Sequence, residues 1–130
     1  MLAAGFGRPS SYFATLVCYG SNMDSGENPQ AALELLILKT LSRGPNHGFG
    51  IALNIEESSS ELLRVEEGSL YPALHRLEKS GHIDAEWQTT GHGRRARVYQ
   101  LTKSGRARLK AIEKSWAALS EGVRKVLGWA

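Results

Sequence analysis

Apolar positions along the chain follow two different periods, and the point where one gives way to the other divides the sequence. Up to residue 81 the spacing is helical. Leu33, Leu36, Ile37, Thr40 and Leu41 recur at i, i+3, i+4 and i+7, which predicts a first helix over residues 29–41. Asn28 is its expected N-cap, Pro29 its first residue, and Gly44-Pro45 its end. Leu35 and Leu38 make this helix apolar on more than one side. It is therefore expected to lie between its own core and something else, such as a second subunit. A second helix is predicted over residues 47–58, with Phe49, Ile51, Ala52 and Ile55 turned inward. Gly48 and Gly50 near its start invite close backbone approach.

The stretch VEEGSLYPALHRLEKSG, residues 65–81, carries the third helix. Leu70, Ala73, Leu74 and Leu77 share one face; Ser69, Pro72, His75, Arg76 and Lys79 fall mostly on the other. Glu66 and Glu67 stand where the helix dipole favours carboxylates, and Ser80-Gly81 forms the stop. Beyond Gly81 the period becomes two. Ile83, Ala85 and Trp87 alternate with Asp84, Glu86 and Gln88, and Ala96 and Val98 alternate with Arg97 and Tyr99. Residues 90–94, Thr-Gly-His-Gly-Arg, join the two runs into a hairpin with a basic, glycine-rich tip. A lone hairpin is unstable in water, so Trp87 or Tyr99 is expected to anchor it on the helices.

Thr102 is the predicted N-cap of a last helix reaching about Leu127, and Gly105 in its first turns implies tight packing. Leu109, Ile112, Trp116, Leu119, Val123 and Val126 recur at spacings of 3 and 4, a coiled-coil-like seam. Two readings of that seam stand at this stage: a subunit interface, or a helix folded back over its own domain. The order of three helices, hairpin and long helix is that of a mainly α fold with a two-stranded β wing, and the expectation is a winged helix-turn-helix plus a C-terminal dimerisation helix. The division that follows is residues 1–28 as a flexible arm, 29–102 as the DNA-binding domain and 103–130 as the dimerisation helix. The arm shows no sustained period, and Met23 just ahead of the first helix is a candidate translation start.

Charge sharpens this picture. The 130-residue chain has a net charge of +3, but residues 93–130 hold ten Lys and Arg against Glu113 and Glu121, a net +8, which leaves the remainder at −5. A basic end of this kind is either a surface for a polyanion or a solubilising one. In a winged helix the third helix enters the major groove and the wing meets the backbone. Ser69, Tyr71, Pro72, His75 and Arg76 are then candidates to face the groove, with Lys79 on a phosphate. Arg94, Arg95 and Arg97 are candidates for phosphate contact from the wing. Each has a plainer reading: Tyr71 as a core aromatic, His75 as an exposed histidine, Arg76 as a partner of nearby glutamates, the wing arginines as a solvated turn.

Catalysis finds little support. His47, His75, His82 and His92 form no HExxH pair, and the glycines of the hairpin tip precede no helix that would hold a phosphate. The lone Cys18 excludes an intrachain disulfide and suits a reducing cytoplasm. No metal or cofactor is expected. No apolar run is long enough to span a bilayer, and no signal peptide is read.

Three segments in sequence, HGFGIA (47–52), GSLYPALHRLE (68–78) and YQLTKSG (99–105), resemble the PadR-like family of bacterial winged-helix transcriptional regulators. The resemblance extends over about residues 32–127. It implies a homodimer formed through the helix after the wing, helped by the first helix, which binds roughly palindromic operators in double-stranded DNA and mostly represses. It also implies that Tyr71 meets phosphate or groove, and that Ser69 stands where the family often has threonine. Some multidrug-sensing relatives hold flat aromatic compounds between subunits with aromatic side chains of the last helix. Trp116 is similar in placement, either packing the interface or lining such an effector pocket. The rival to DNA binding is a winged module used for protein interaction.

Overall fold

The computed structural model describes residues 29–89 and 91–129. The arm, the Asn28 cap and the Met23 start lie outside the described residues. The elements run α1 (Pro29–Ser42), β1 (Asn46–His47), α2 (Gly48–Ser58), α3 (Glu67–Lys79), β2 (Ile83–Thr89), β3 (Arg95–Leu101) and α4 (Lys103–Leu127). Each predicted helix and both predicted strands are present. The core closes on Ile37 and Leu38 of α1, Ile51 of α2, Leu70 and Leu74 of α3 and Ile83 of β2, all fully buried. Leu70, Ala73, Leu74 and Leu77 form the inward face of α3 as their spacing requires.

Three local points refine or correct the expectations. First, the wing hairpin is joined by a third strand, giving the sheet order β1-β3-β2, all antiparallel. β1 pairs Asn46 with Tyr99 and His47 with Val98; two residues are too few to leave a period in the sequence. Second, the register decides which side of β3 packs inward, which the alternation left open, and Tyr99 is the anchor. The register sets Ile83 against Leu101, Ala85 against Tyr99 and Trp87 against Arg97, so of the two expected anchors Tyr99, only 5% exposed, packs inward, and Trp87 stays 54% exposed. A buried tyrosine removes more apolar surface than a valine, and the arginine beside it on that face is matched by a carboxylate. Third, Phe49 points outward, 65% exposed, and Ile51 takes the buried position in α2.

Capping fixes the joints. Gly81 adopts φ +83°, and the His82 amide donates to the Leu77 carbonyl (3.0 Å), closing α3 with a Schellman turn. Thr102 caps α4 as expected: its hydroxyl oxygen accepts from the Gly105 amide (3.0 Å) and its hydroxyl donates to the Gly81 carbonyl (2.7 Å). Gly105 is buried so tightly that a Cβ there would collide with the His82 carbonyl oxygen. The start of α4 is thus clamped to the end of α3.

The seam of α4 divides. Leu109 and Ile112 belong to the domain's own core, and Trp116 is half-buried against it. Two ion pairs join the same stretch to α1, Arg108 to Glu34 at 3.0 Å and Lys39 to Glu113 at 3.2 Å. Val123, Val126, Leu127 and Trp129 are exposed, Val126 by 86%. No helix among the described residues is long and apolar enough to cross a membrane.

Candidate DNA interface

Tyr71, Pro72, His75, Arg76 and Lys79 lie on the outer side of α3 and are exposed, while Ser69 is half-buried. Helical geometry separates them further. Pro72, His75 and Lys79 sit opposite the buried leucines, at i, i+3 and i+7. Tyr71 and Glu78 lie on the edge that faces the wing. Arg76 lies on the other edge, sharing a small depression of about 210 Å³ with Ser80, His82, Glu34 and Arg108. Tyr71 and Arg76 therefore occupy opposite flanks of the same helix.

Among the described residues an ion pair ties the wing to α3. The Arg97 guanidinium donates to the Glu78 carboxylate at 2.7 Å, both groups about one-third exposed. Arg97 and Arg95 also stand over the Trp87 ring, at 5.5 and 4.9 Å from its centroid. The three wing arginines thus differ: Arg97 is held inward, Arg95 is stacked and exposed, and Arg94 is exposed at the tip. Burial pushes the Tyr99 hydroxyl above its ordinary pKa, an effect that Arg97 beside it partly offsets.

The HGFG segment has a structural reason. His47 caps α2, its ring Nδ1 accepting from the Gly50 amide at 3.1 Å. That bond puts the proton of the neutral ring on Nε2. Gly48 lies beneath Tyr71, where a Cβ would come within 2.6 Å of the phenol oxygen, and a Cβ on Gly50 would overlap the Asn46 side chain. Both glycines allow close approach, as their sequence position implied. Phe49 between them is left outside, and it forms with Tyr71 and Trp87 the walls of a cleft of about 610 Å³ between α2, α3 and the wing. Arg94, Arg95 and Arg97 also line it, and no carboxylate does among the described residues. Phe49 was missed as a surface residue because its spacing alone fits a core position. The aromatic between two glycines, each pressed by a neighbour, was the available sign. His47 and His92 line this cleft whereas His82 bonds Ser104 on another side. Among the described residues no three His, Cys, Asp or Glu side chains gather as metal ligands.

A helical triad whose third member presents a polar face, flanked by a stranded hairpin rich in arginine, defines a winged helix-turn-helix protein. Comparison with known proteins carries the assignment further. The family described as "Transcriptional regulator PadR-like family" matches residues 37–111. The chain is 40% identical over 102 residues to the transcriptional regulator Rv3488 of Mycobacterium tuberculosis, covering 78% of this chain and 89% of that one. Among solved structures, a PadR family transcriptional regulator from Eggerthella lenta superposes with a TM-score of 0.65 at 29% identity, covering 78% of this chain and 86% of that one. A transcriptional regulator from Clostridium thermocellum gives 0.65 at 29% identity, covering 71% and 89%. The chain belongs to the PadR-like family of transcriptional regulators.

Proposed function

We propose that this regulator is a bacterial, cytoplasmic repressor that binds a roughly palindromic operator as a homodimer. The observation that carries the reading is the exposed outer face of α3, bearing Tyr71, Pro72, His75 and Lys79, whose Tyr71 shares a cleft with Arg94 and Arg95 of the wing. On this reading Arg95, Arg94 and Lys79 hold phosphates, and Tyr71 donates its hydroxyl to a phosphate. Pro72 meets a thymine methyl, and Ser69, His75 and Arg76 supply the base-edge contacts. Arg97 acts as a phosphate ligand from its place beside Glu78. The homodimer reading rests on the apolar residues exposed at the end of α4, with Leu119, Val123 and Val126 continuing the line that Leu109, Ile112 and Trp116 begin. An aromatic effector against Trp116 would release the operator.

Selection of duplexes from a random library by the purified chain tests the reading. Two related half-sites about one helical turn, or a multiple of it, apart are expected. In anisotropy titrations Arg95→Ala should lower affinity for all duplexes and reduce the salt slope by about 1, whereas Arg76→Ala should change the preferred sequence. Failure to bind any duplex at low salt would leave the protein-interaction module in its place.

A further inference from the structure

The basic character of the chain's end is not confined to the wing. Of the ten Lys and Arg in residues 93–130, Arg94, Arg95 and Arg97 belong to the hairpin, and the other seven lie on α4. Four of these share one face. At about 100° per residue, Lys103, Arg106, Lys110 and Lys114 fall within an arc of about 80°. That arc points away from Gly105, Leu109 and Ile112, the buried residues of the same helix. All four side chains are exposed, and among the described residues none of them has an ion pair. Both carboxylates of α4 are engaged, Glu113 with Lys39 at 3.2 Å and Glu121 with Arg124. The stripe does not serve the helix itself. Arg106 and Lys110, and Lys110 and Lys114, stand at i, i+4, where like charges repel and weaken a helix. Neither the core nor the helix accounts for four open cations in one line.

We infer that the outward face of α4 is a sequence-independent binding surface for the phosphate backbone of duplex DNA lying outside the operator. The stripe covers about 16 Å of helix, and a duplex offers one phosphate charge per roughly 1.7 Å of its axis. Cations on long flexible stems reach phosphates without reading base edges. Other polyanions fit this face less well. Single strands are held by stacking on aromatic rings, and residues 103–114 contain no aromatic side chain. A helix lying in an anionic membrane buries its apolar face in the lipid, whereas here Leu109 and Ile112 of that face are packed in the domain's own core. An acidic protein partner would need large apolar anchors among the charges, and the apolar residues beside the stripe are Ala107 and Ala111. The surface shares no residue with α3 or the wing, so it does not rest on the operator reading. Its phosphates come either from the flank of a bound duplex or from a second duplex.

Anisotropy titrations of the full chain with a random-sequence duplex, repeated over a range of salt concentrations, test the surface. Combining Lys103→Gln, Arg106→Gln, Lys110→Gln and Lys114→Gln, which keeps good helix formers throughout, should lower the salt slope by about 3 to 4. Affinity at low salt should fall at least about tenfold. Lys110→Gln with Lys114→Gln alone should lower the slope by about 2, and this pair decides the matter if the fourfold variant melts early. Arg94→Ala with Arg95→Ala should leave the stripe's share of the slope in place. A slope unaltered by both stripe variants marks the face as merely solubilising and overturns the inference. So does tighter binding of a single strand than of a duplex, or stripe-dependent binding to phosphatidylglycerol vesicles with the duplex slope unaltered. Two further arms separate the sources. If lengthening the tightest-binding duplex by about two helical turns on each side gains affinity in the parent and not in the stripe variant, the flank is the source. If a duplex fixed on beads captures a labelled one through the parent and not through the stripe variant, a second duplex is the source. Neither result overturns a surface outside the operator. A chain that selects no operator yet loses slope with the stripe overturns the proposed function and keeps this surface. A selected operator with an unaltered slope does the reverse.

Discussion

At the scale of single residues, the sharpest constraints come from atoms that are missing. Gly105 and Gly48 both sit where a Cβ would meet a neighbour, but the neighbours differ. At Gly105 the obstacle is the His82 backbone carbonyl, fixed between α3 and β2; at Gly48 it is the end of the Tyr71 side chain. A backbone obstacle cannot move without distorting the fold, whereas a half-exposed ring can swing aside. Gly105→Ala should therefore cost about 1–3 kcal/mol or more, read from urea midpoints. Gly48→Ala should cost clearly less, and its effect should appear as a change in the NMR shifts of the Tyr71 ring. Equal midpoints for the two variants would contradict the assignment of the rigid obstacle. Tyr99 supplies a pH test. Its raised pKa means that the folded chain holds the phenol proton more tightly than the unfolded chain. The stability it contributes is present below the ordinary value of 10.0 and declines as pH rises through the folded value. Tyr99→Phe should flatten the fall in unfolding midpoint above about pH 10.

At the scale of elements, helices and strands differ in how openly they were written. The inward face of α3 was legible because four apolar residues repeat with no competing pattern. The two sides of β3 were not, since Ala96 and Val98 form as good an alternation as Tyr99 and Leu101, with Arg97 arguing against the true inward side. Its partnership with Glu78 and its place over the Trp87 ring make that arginine compatible with the packed face, and a pairing between residues 19 positions apart leaves no local trace. For the same reason Phe49 read as core: periodicity places a residue on a helix but not the helix in the domain. Among the candidate site residues, exposure of His75, Arg76 and Lys79 was legible, but the inward hold on Arg97 was not. The Glu78–Arg97 pair is partly exposed, and such pairs contribute less than about 1 kcal/mol. Glu78→Gln should thus leave the unfolding midpoint nearly unchanged. Amide exchange in β2 and β3 should nonetheless rise, with α3 unaffected. An exchange pattern identical to the parent would mean that the ion pair does not steady the wing.

At the scale of the whole molecule, α4 plays two parts along one length. Its first half, through Leu109 and Ile112, completes the domain; its second half exposes Val123, Val126, Leu127 and Trp129. The sequence shows a single uninterrupted seam, and the division became visible only when α1 supplied a partner for the first half. If the second half joins two copies, Val126→Asp should lower the dimer fraction by at least about tenfold at micromolar concentration without altering the unfolding of the domain core. Sedimentation velocity reads the first and near-ultraviolet dichroism the second. An unchanged association constant would remove the end of α4 from the interface.

The clamp at Thr102 and Gly105 has a mechanical consequence. Because α4 is seated rigidly on the loop that ends α3, it acts as a lever rather than a tether. A 25-residue helix extends about 37 Å. A tilt of about 5° at its far end corresponds to about 3 Å at the other, comparable to the rise of one base pair. Two such arms joined at their tips would set the separation of the reading helices by angle alone, and a small rotation there would put both out of step with the groove.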